Sequence, residues 1–183
     1  MSSSSPKYRR LSKYLSYILR HDPQEADLSI DKYGFADLNR VVEALNETKH
    51  YWAGKEDIEY LIENSDKTRF EIKGYKIRAL YGHSIDVEIE EELHQPPPKK
   101  LYHGTSPDSA EAISEEGIKS QNRQFVHLSK TKEEAYRVGK RHHLEPVIFQ
   151  IDAEKAWKEG ITFYERGDLY LVEYMPSKYL DIS

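Results

Sequence analysis

Four short clusters in this 183-residue chain carry side chains that can hold anions or move protons. They are Arg20-His21, Arg78 followed by Gly82-His83-Ser84, His103-Gly104-Thr105, and Arg141. Arginine presents a planar fork that grips oxygens from two directions and keeps its proton at physiological pH. Histidine exchanges a proton near neutrality. Each cluster also has a plainer use. A histidine at a helix C-terminus complements the macrodipole, and an arginine after a hairpin can cap it. Singly, such short motifs are weak, and no one of them settles an activity.

Several chemistries are excluded or disfavoured. The chain has no cysteine, so disulfides, thiolate catalysis and cysteine-ligated metal sites are absent. His142-His143 are adjacent, and neighbours on a helix diverge in direction, so no metal site is expected from them. There is no Gly-x-Ser-x-Gly elbow, and neither the dinucleotide-binding glycine fingerprint nor a P-loop occurs. Any nucleotide must be held another way.

Hydrophobic periodicity supplies the elements that position these clusters. Leu11, Leu15, Ile18 and Leu19 lie at helical spacing with Tyr14 beside them, and Asp22-Pro23 ends that helix, so Arg20-His21 fall at its end rather than on its buried stripe. Leu38, Val41, Val42 and Leu45 predict a second helix with Asp37 near its start. Ile58, Leu61 and Ile62 predict a third. Phe70, Ile72, Tyr75 and Ile77 alternate around Lys73-Gly74 as a β-hairpin does. Helix, helix-turn-helix and hairpin is the order of a winged-helix lobe, expected over residues 1–94. Gln95-Pro96-Pro97-Pro98-Lys99-Lys100 (95–100) reads as a linker that no helix or interior strand can cross. In the second lobe, 101–183, strands are expected into His103-Gly104-Thr105, over Phe125–Ser129, from Pro146 to Ile151 and over Tyr170–Glu173. Helices are expected up to Glu116-Gly117 and over roughly 131–141. Short strands interleaved with short helices make an α+β fold.

The 14 tyrosines and five phenylalanines give an aromatic surface rich in hydroxyls, within a chain that is 38% hydrophobic and 32% charged. The formal net charge of −5 argues against an RNA partner only if the charge is spread evenly. It is not. Residues 1–20 carry Lys7, Arg9, Arg10, Lys13 and Arg20 and no acid, residues 119–143 are strongly basic, and acid gathers at Glu88, Glu90, Glu91 and Glu92. The opening Met-Ser-Ser-Ser-Ser-Pro has no apolar stretch behind it, so no signal peptide is expected. No apolar run nears the roughly 20 residues of a membrane span. A cytoplasmic protein with no membrane partner, and a monomer, is the expectation.

The clusters fall into one ordered pattern. Leu11-Ser12-Lys13-Tyr14-Leu15-Ser16-Tyr17-Ile18-Leu19-Arg20-His21 and Gly34-Phe35-Ala36-Asp37 resemble the opening of the RNA 2′-phosphotransferase family. Ile77-Arg78-Ala79 through Gly82-His83-Ser84 resembles its next signature. His103-Gly104-Thr105, His127-Leu128-Ser129, and Val138-Gly139-Lys140-Arg141-His142 before Pro146-Val147 match the rest. Leu80-Tyr81 departs from a position that is often polar in the family, and Gly167-Asp168-Leu169-Tyr170-Leu171 departs in the tail.

The resemblance implies a winged-helix lobe and an ADP-ribosyltransferase-like lobe with the active site in the cleft between them. It implies consumption of NAD, no metal, and an RNA substrate bearing an internal 2′-phosphate, as tRNA splicing produces. It makes Arg20, His21, Arg78 and Arg141 the catalytic set, and His103, Gly104, Thr105, His127 and Ser129 the NAD-binding set. Lys13, His83 and Ser84 are expected on the RNA phosphate. Three arginines suit a transfer in which negative charge grows at phosphorus and at the leaving oxygen. Two other classes remain open. A winged-helix regulator with a ligand-sensing second lobe would not consume NAD. An ADP-ribosyltransferase capping terminal phosphates would stop after one step.

Overall fold

The computed structural model describes residues 5–183, apart from the side chain of Glu91. The serine-rich opening discussed above, residues 1–4, lies outside the described residues. The fold is α+β. The chain forms two compact units, one ending at Ile89 and the other starting at Glu90.

In the first unit, helix α1 runs Pro6–Arg20 with proline near its start, where a missing N–H costs nothing. Leu11, Leu15, Ile18 and Leu19 are fully buried, as their spacing predicts. A two-residue strand β1 (Ala36–Asp37) leads directly into α2 (Leu38–Asn46), and the Asp37 carboxylate accepts the Arg40 N–H at 3.0 Å as the helix cap. Helix α3 (Lys55–Glu63) follows, then the hairpin of β2 (Phe70–Lys73) and β3 (Lys76–Ala79). The three strands form one antiparallel sheet in the order β1-β3-β2. Lys73 pairs with Lys76, so Gly74 and Tyr75 make the turn. Tyr75 is therefore an exposed tip residue and not part of the alternating face that the sequence suggests. The α1 stripe packs with Leu38, Val41, Leu45, Ile58, Leu61, Phe70 and Ile77 into one core.

The second unit is built on a six-stranded antiparallel sheet. In chain order come β4 (Lys100–Thr105), α4 (Pro107–Glu116), β5 (Ile118–Lys119), β6 (Val126–Ser129), α5 (Lys132–Gly139) and β7 (Val147–Asp152). They are followed by α6 (Ala153–Lys158), β8 (Tyr164–Arg166), β9 (Leu169–Val172), β10 (Tyr174–Met175) and β11 (Leu180–Ile182). The order across the main sheet is β11-β7-β4-β6-β9-β8, and β5 pairs with β10 separately. Leu101, Leu128, Ile151, Phe163 and Val172 anchor its core.

The proline segment belongs to this second unit. His94 bridges to Tyr164, the Gln95 N–H donates to the Phe163 carbonyl at 3.3 Å, and Arg166, almost wholly buried, pairs with Glu90 at 3.8 Å. Residues 90–95 are thereby tied to β8, and the proline run leads straight into β4. No helix among the described residues is long and apolar enough to cross a membrane.

Candidate active site

Arg20 is the last residue of α1 and His21 its cap. The Arg20 carbonyl, freed at the helix end, accepts the N–H groups of Ser84 (3.0 Å) and Ile85 (3.3 Å). His21 Nδ1 and Ser84 Oγ lie 2.9 Å apart. Gly82 adopts φ +87°, a left-handed conformation that suits glycine, and the Arg20 guanidinium lies over it. A Cβ there would meet Arg20 Cδ and Nη1 at 3.4 Å. The Arg20 guanidinium carbon is 5.0 Å from the Tyr81 ring centroid, a cation–π distance. Residues over sixty positions apart thus form one assembly, in which Arg20, His21 and Ser84 are in direct contact. Lys13 lies about two turns earlier on α1, exposed on the same open groove of about 470 Å³ as Arg20 and His21.

Arg78 and His83 are placed differently. Arg78 lies within β3 rather than after the hairpin, and only 1% of its surface is exposed. Its Nε and Nη2 donate to the Glu71 carboxylate on the paired strand, and Nη1 donates to the Tyr33 carbonyl at 3.1 Å. The Phe35 ring stacks beneath it, 4.2 Å from the guanidinium carbon. Asp31 fixes the turn that presents Tyr33, accepting the N–H groups of Tyr33 (3.1 Å) and Phe35 (2.9 Å) and an ion pair from Lys76 (2.9 Å). Burial alone would raise the Asp31 carboxyl, but these donors outweigh it and hold it below the usual carboxylate range. His83 is buried with its ring against Gly34 of the same turn. Arg78 and His83 are therefore coupled through residues 31–35, the segment whose Gly-Phe-Ala-Asp signature stood out in the sequence.

The second-unit candidates divide between two sheet faces. Side chains alternate along β4, so His103 and Thr105 share the face of buried Leu101, while Gly104 shares the other with Tyr102. Tyr102 pairs with Ser129, which puts Ser129 and His127 on that second face. The close approach that Gly104 permits is to α5. A Cβ on it would fall 2.0 Å from the Ala135 carbonyl oxygen. His103 Nδ1 lies 3.1 Å from the His127 carbonyl, which can only accept, so Nδ1 carries the proton. Burial pushes the His103 imidazole below its ordinary range, keeping it neutral with Nε2 as an acceptor. His127 is the opposite tautomer. Arg123 donates to its Nδ1 at 2.7 Å, which leaves the ring proton on Nε2. Helix α5 ends at Gly139, which packs on Pro146, so Arg141 stands exposed in the following turn rather than inside the helix. Glu71, Tyr33 and Arg123 were not marked by any local motif. Their roles come from strand register and from a turn.

A family model described as RNA 2′-phosphotransferase, Tpt1/KptA family, matches residues 6–172. The chain is 45% identical over 175 residues to a probable RNA 2′-phosphotransferase of Acetivibrio thermocellus, covering 94% of this chain and 96% of that one. It is 42% identical over 168 residues to one from Pyrococcus abyssi, covering 91% of each, and 39% identical over 178 residues to one from Bacillus thuringiensis, covering 96% of each. Matches of this extent run through every cluster described above, and the chain belongs to the RNA 2′-phosphotransferase family.

Proposed function

We propose that this transferase removes an internal 2′-phosphate from RNA by passing it to NAD in two steps. A 2′-phosphate oxygen attacks the ribose carbon bearing nicotinamide, the carbon–nitrogen bond breaks, and nicotinamide leaves. The adjacent ribose 2″-hydroxyl then attacks phosphorus and gives up its proton, the bond to the RNA 2′-oxygen breaks, and that oxygen takes a proton to become a hydroxyl. The released product is ADP-ribose 1″,2″-cyclic phosphate. The phosphate nucleophile is already anionic and needs no general base.

The observation that carries this reading is the assembly of Arg20, His21 and Ser84 at one helix end. It offers a proton carrier and a hydroxyl within hydrogen-bonding distance of each other, with a guanidinium packed over the turn that carries the hydroxyl. Arg20 holds phosphate oxygens, and His21 delivers the proton to the departing 2′-oxygen; Arg141, exposed on the second unit, is a further anion-holding arginine. Arg78, its charge balanced by Glu71, supports the assembly through the 31–35 turn. Lys13 and Ser84 contact the RNA phosphate, with His83 behind them. In the second unit, His103 Nε2 accepts from a ribose hydroxyl of NAD. The His127 Nε2–H donates to an oxygen, beside Ser129. Thr105 continues the His103 face, and Gly104 lets α5 close against β4. We read the first unit as a winged-helix lobe that binds RNA and the second as an ADP-ribosyltransferase-like lobe that binds NAD, in a monomeric, cytoplasmic protein.

Incubation with NAD and an RNA bearing one internal 2′-phosphate tests the reading. Products should be 2′-hydroxyl RNA, nicotinamide and the cyclic phosphate, formed only when NAD is present and undiminished by a chelator of divalent metals. Dephosphorylation without NAD, or strict dependence on a divalent metal, refutes it. Release of nicotinamide with only ADP-ribosylated RNA accumulating identifies a one-step transferase instead.

A further inference from the structure

We propose that the groove along the exposed face of α1 is a track for the single-stranded RNA on one side of the 2′-phosphate, a proposal that rests on the RNA reading above. Arg9, Lys13 and Arg20 recur along α1 with Ser16 between the last two, at spacings of three and four residues. They form one stripe turned away from Leu11, Leu15, Ile18 and Leu19. Arg69, just before β2, completes the wall, and Asp66 is the one acid lining it. Four cations against one acid is a steep local reversal for a chain of net charge −5.

The shape of the groove suits a strand. From Arg9 to Arg20 the helix rises about 16 Å at roughly 1.5 Å per residue. That length covers about five nucleotides stacked at roughly 3.4 Å each. The small side chains of Ser12 and Ser16 face the groove and leave room for a backbone. Tyr17, 41% exposed, borders it as a base-stacking surface, and its hydroxyl donates to Asp22 at 3.0 Å, which holds the ring. The groove ends at Arg20 and His21, where the reacting phosphate is held. Charge alone would also suit an acidic peptide, but a stacking ring and continuity with the phosphate site favour nucleic acid.

Binding and turnover of a 2′-phosphorylated dinucleotide are compared with those of the same RNA extended by several nucleotides on either side, and binding of a long RNA without the 2′-phosphate is measured as well. Extension on one side should tighten binding to the natural protein. Arg9→Gln and Arg69→Gln should each remove about two- to fivefold of that gain, as exposed charge contacts do. Each should also flatten the salt dependence by about 0.7 in logarithmic slope, while dinucleotide turnover stays unchanged. Asp66→Asn should tighten long-RNA binding.

The proposal is overturned if the length-dependent gain survives the double arginine variant. It is overturned equally if dinucleotide turnover falls in step, or if polyglutamate displaces long RNA as well as unlabelled RNA of equal charge does. Its failure is separable from failure of the phosphotransfer reading. The first leaves length-dependent binding absent or indifferent to Arg9 and Arg69 while NAD-dependent dephosphorylation continues. The second leaves long-RNA binding sensitive to Arg9 and Arg69 with no dephosphorylation at all.

Discussion

Arg20 and His21 hold the 82–85 turn through the Arg20 main-chain carbonyl as well as through side chains, so trimming either side chain should alter chemistry more than folding. Arg20→Ala or His21→Ala is expected to slow the second step more than the first. In the proposed reaction, nicotinamide departure asks little of phosphate-clamping groups, whereas transesterification builds charge where they act. A lost charge-assisted contact of about 1.5–3 kcal/mol corresponds to a rate factor of roughly ten to a hundred and fifty. ADP-ribosylated RNA should then accumulate in a gel-resolved time course. His103→Ala should suppress the first step without accumulation. Equal loss of both steps in the Arg20 and His21 variants would remove the stepwise assignment. Arg78 should behave differently, because its guanidinium is buried against Glu71 and the Tyr33 carbonyl. Glu71→Gln takes away the carboxylate that balances it and is expected to cost about 1–3 kcal/mol of stability. Denaturant unfolding should show this loss, and an unchanged midpoint would mean that the pair contributes nothing net.

At the scale of elements, the second unit depends on how closely β4 and α5 approach. Gly104 and Gly139 face each other across that contact, where Gly104 meets the Ala135 carbonyl and Gly139 meets Pro146. Neither neighbour is the flexible end of a side chain, so the space cannot be opened by a rotamer change. Gly104→Ala should therefore destabilise the protein by at least about 1–3 kcal/mol, the usual cost of overpacking. It should also lower NAD affinity by displacing His103 beside it. A Gly104→Ala protein with wild-type melting and wild-type affinity would show that α5 is free to withdraw. In the first unit the corresponding device is the Asp31 turn, which fixes Arg78 and His83 from a segment with little regular structure of its own.

For the whole molecule, two histidines make stability depend on pH in the same direction. Burial pushes His50 in the first unit and His103 in the second below the usual histidine range. A native state that keeps these rings neutral binds fewer protons than the unfolded chain once pH falls below about 6.5. Stability is thus intact above that value and should decline as pH falls below it. His50 stacks on Tyr14 at 5.3 Å between centroids, and its Nε2 has no hydrogen-bond partner among the described residues. His50→Phe keeps the stack and removes the titrating nitrogen. It should make thermal unfolding of the first unit less sensitive to acid, and an unaltered pH profile would exclude His50 as a source.

The sequence alone determined the regular elements whose hydrophobic faces follow a clean period, because burial of one face imposes that period locally. The α1 stripe, the Asp37 cap, the hairpin and the strand into His103 are legible for this reason, as are the ordered family signatures. Tertiary structure decided everything that depends on register and turns. It placed Tyr75 at a tip, ended α5 at Gly139 against Pro146, and tied residues 90–95 to β8. It sent Arg78 inward onto Glu71 while leaving Arg20 on a groove, although the two residues look alike in the sequence. The physical reason is that a side chain's partners across a sheet or around a turn lie far off in the chain. Hydrogen-bond geometry, rather than any local pattern, selects which of them it meets.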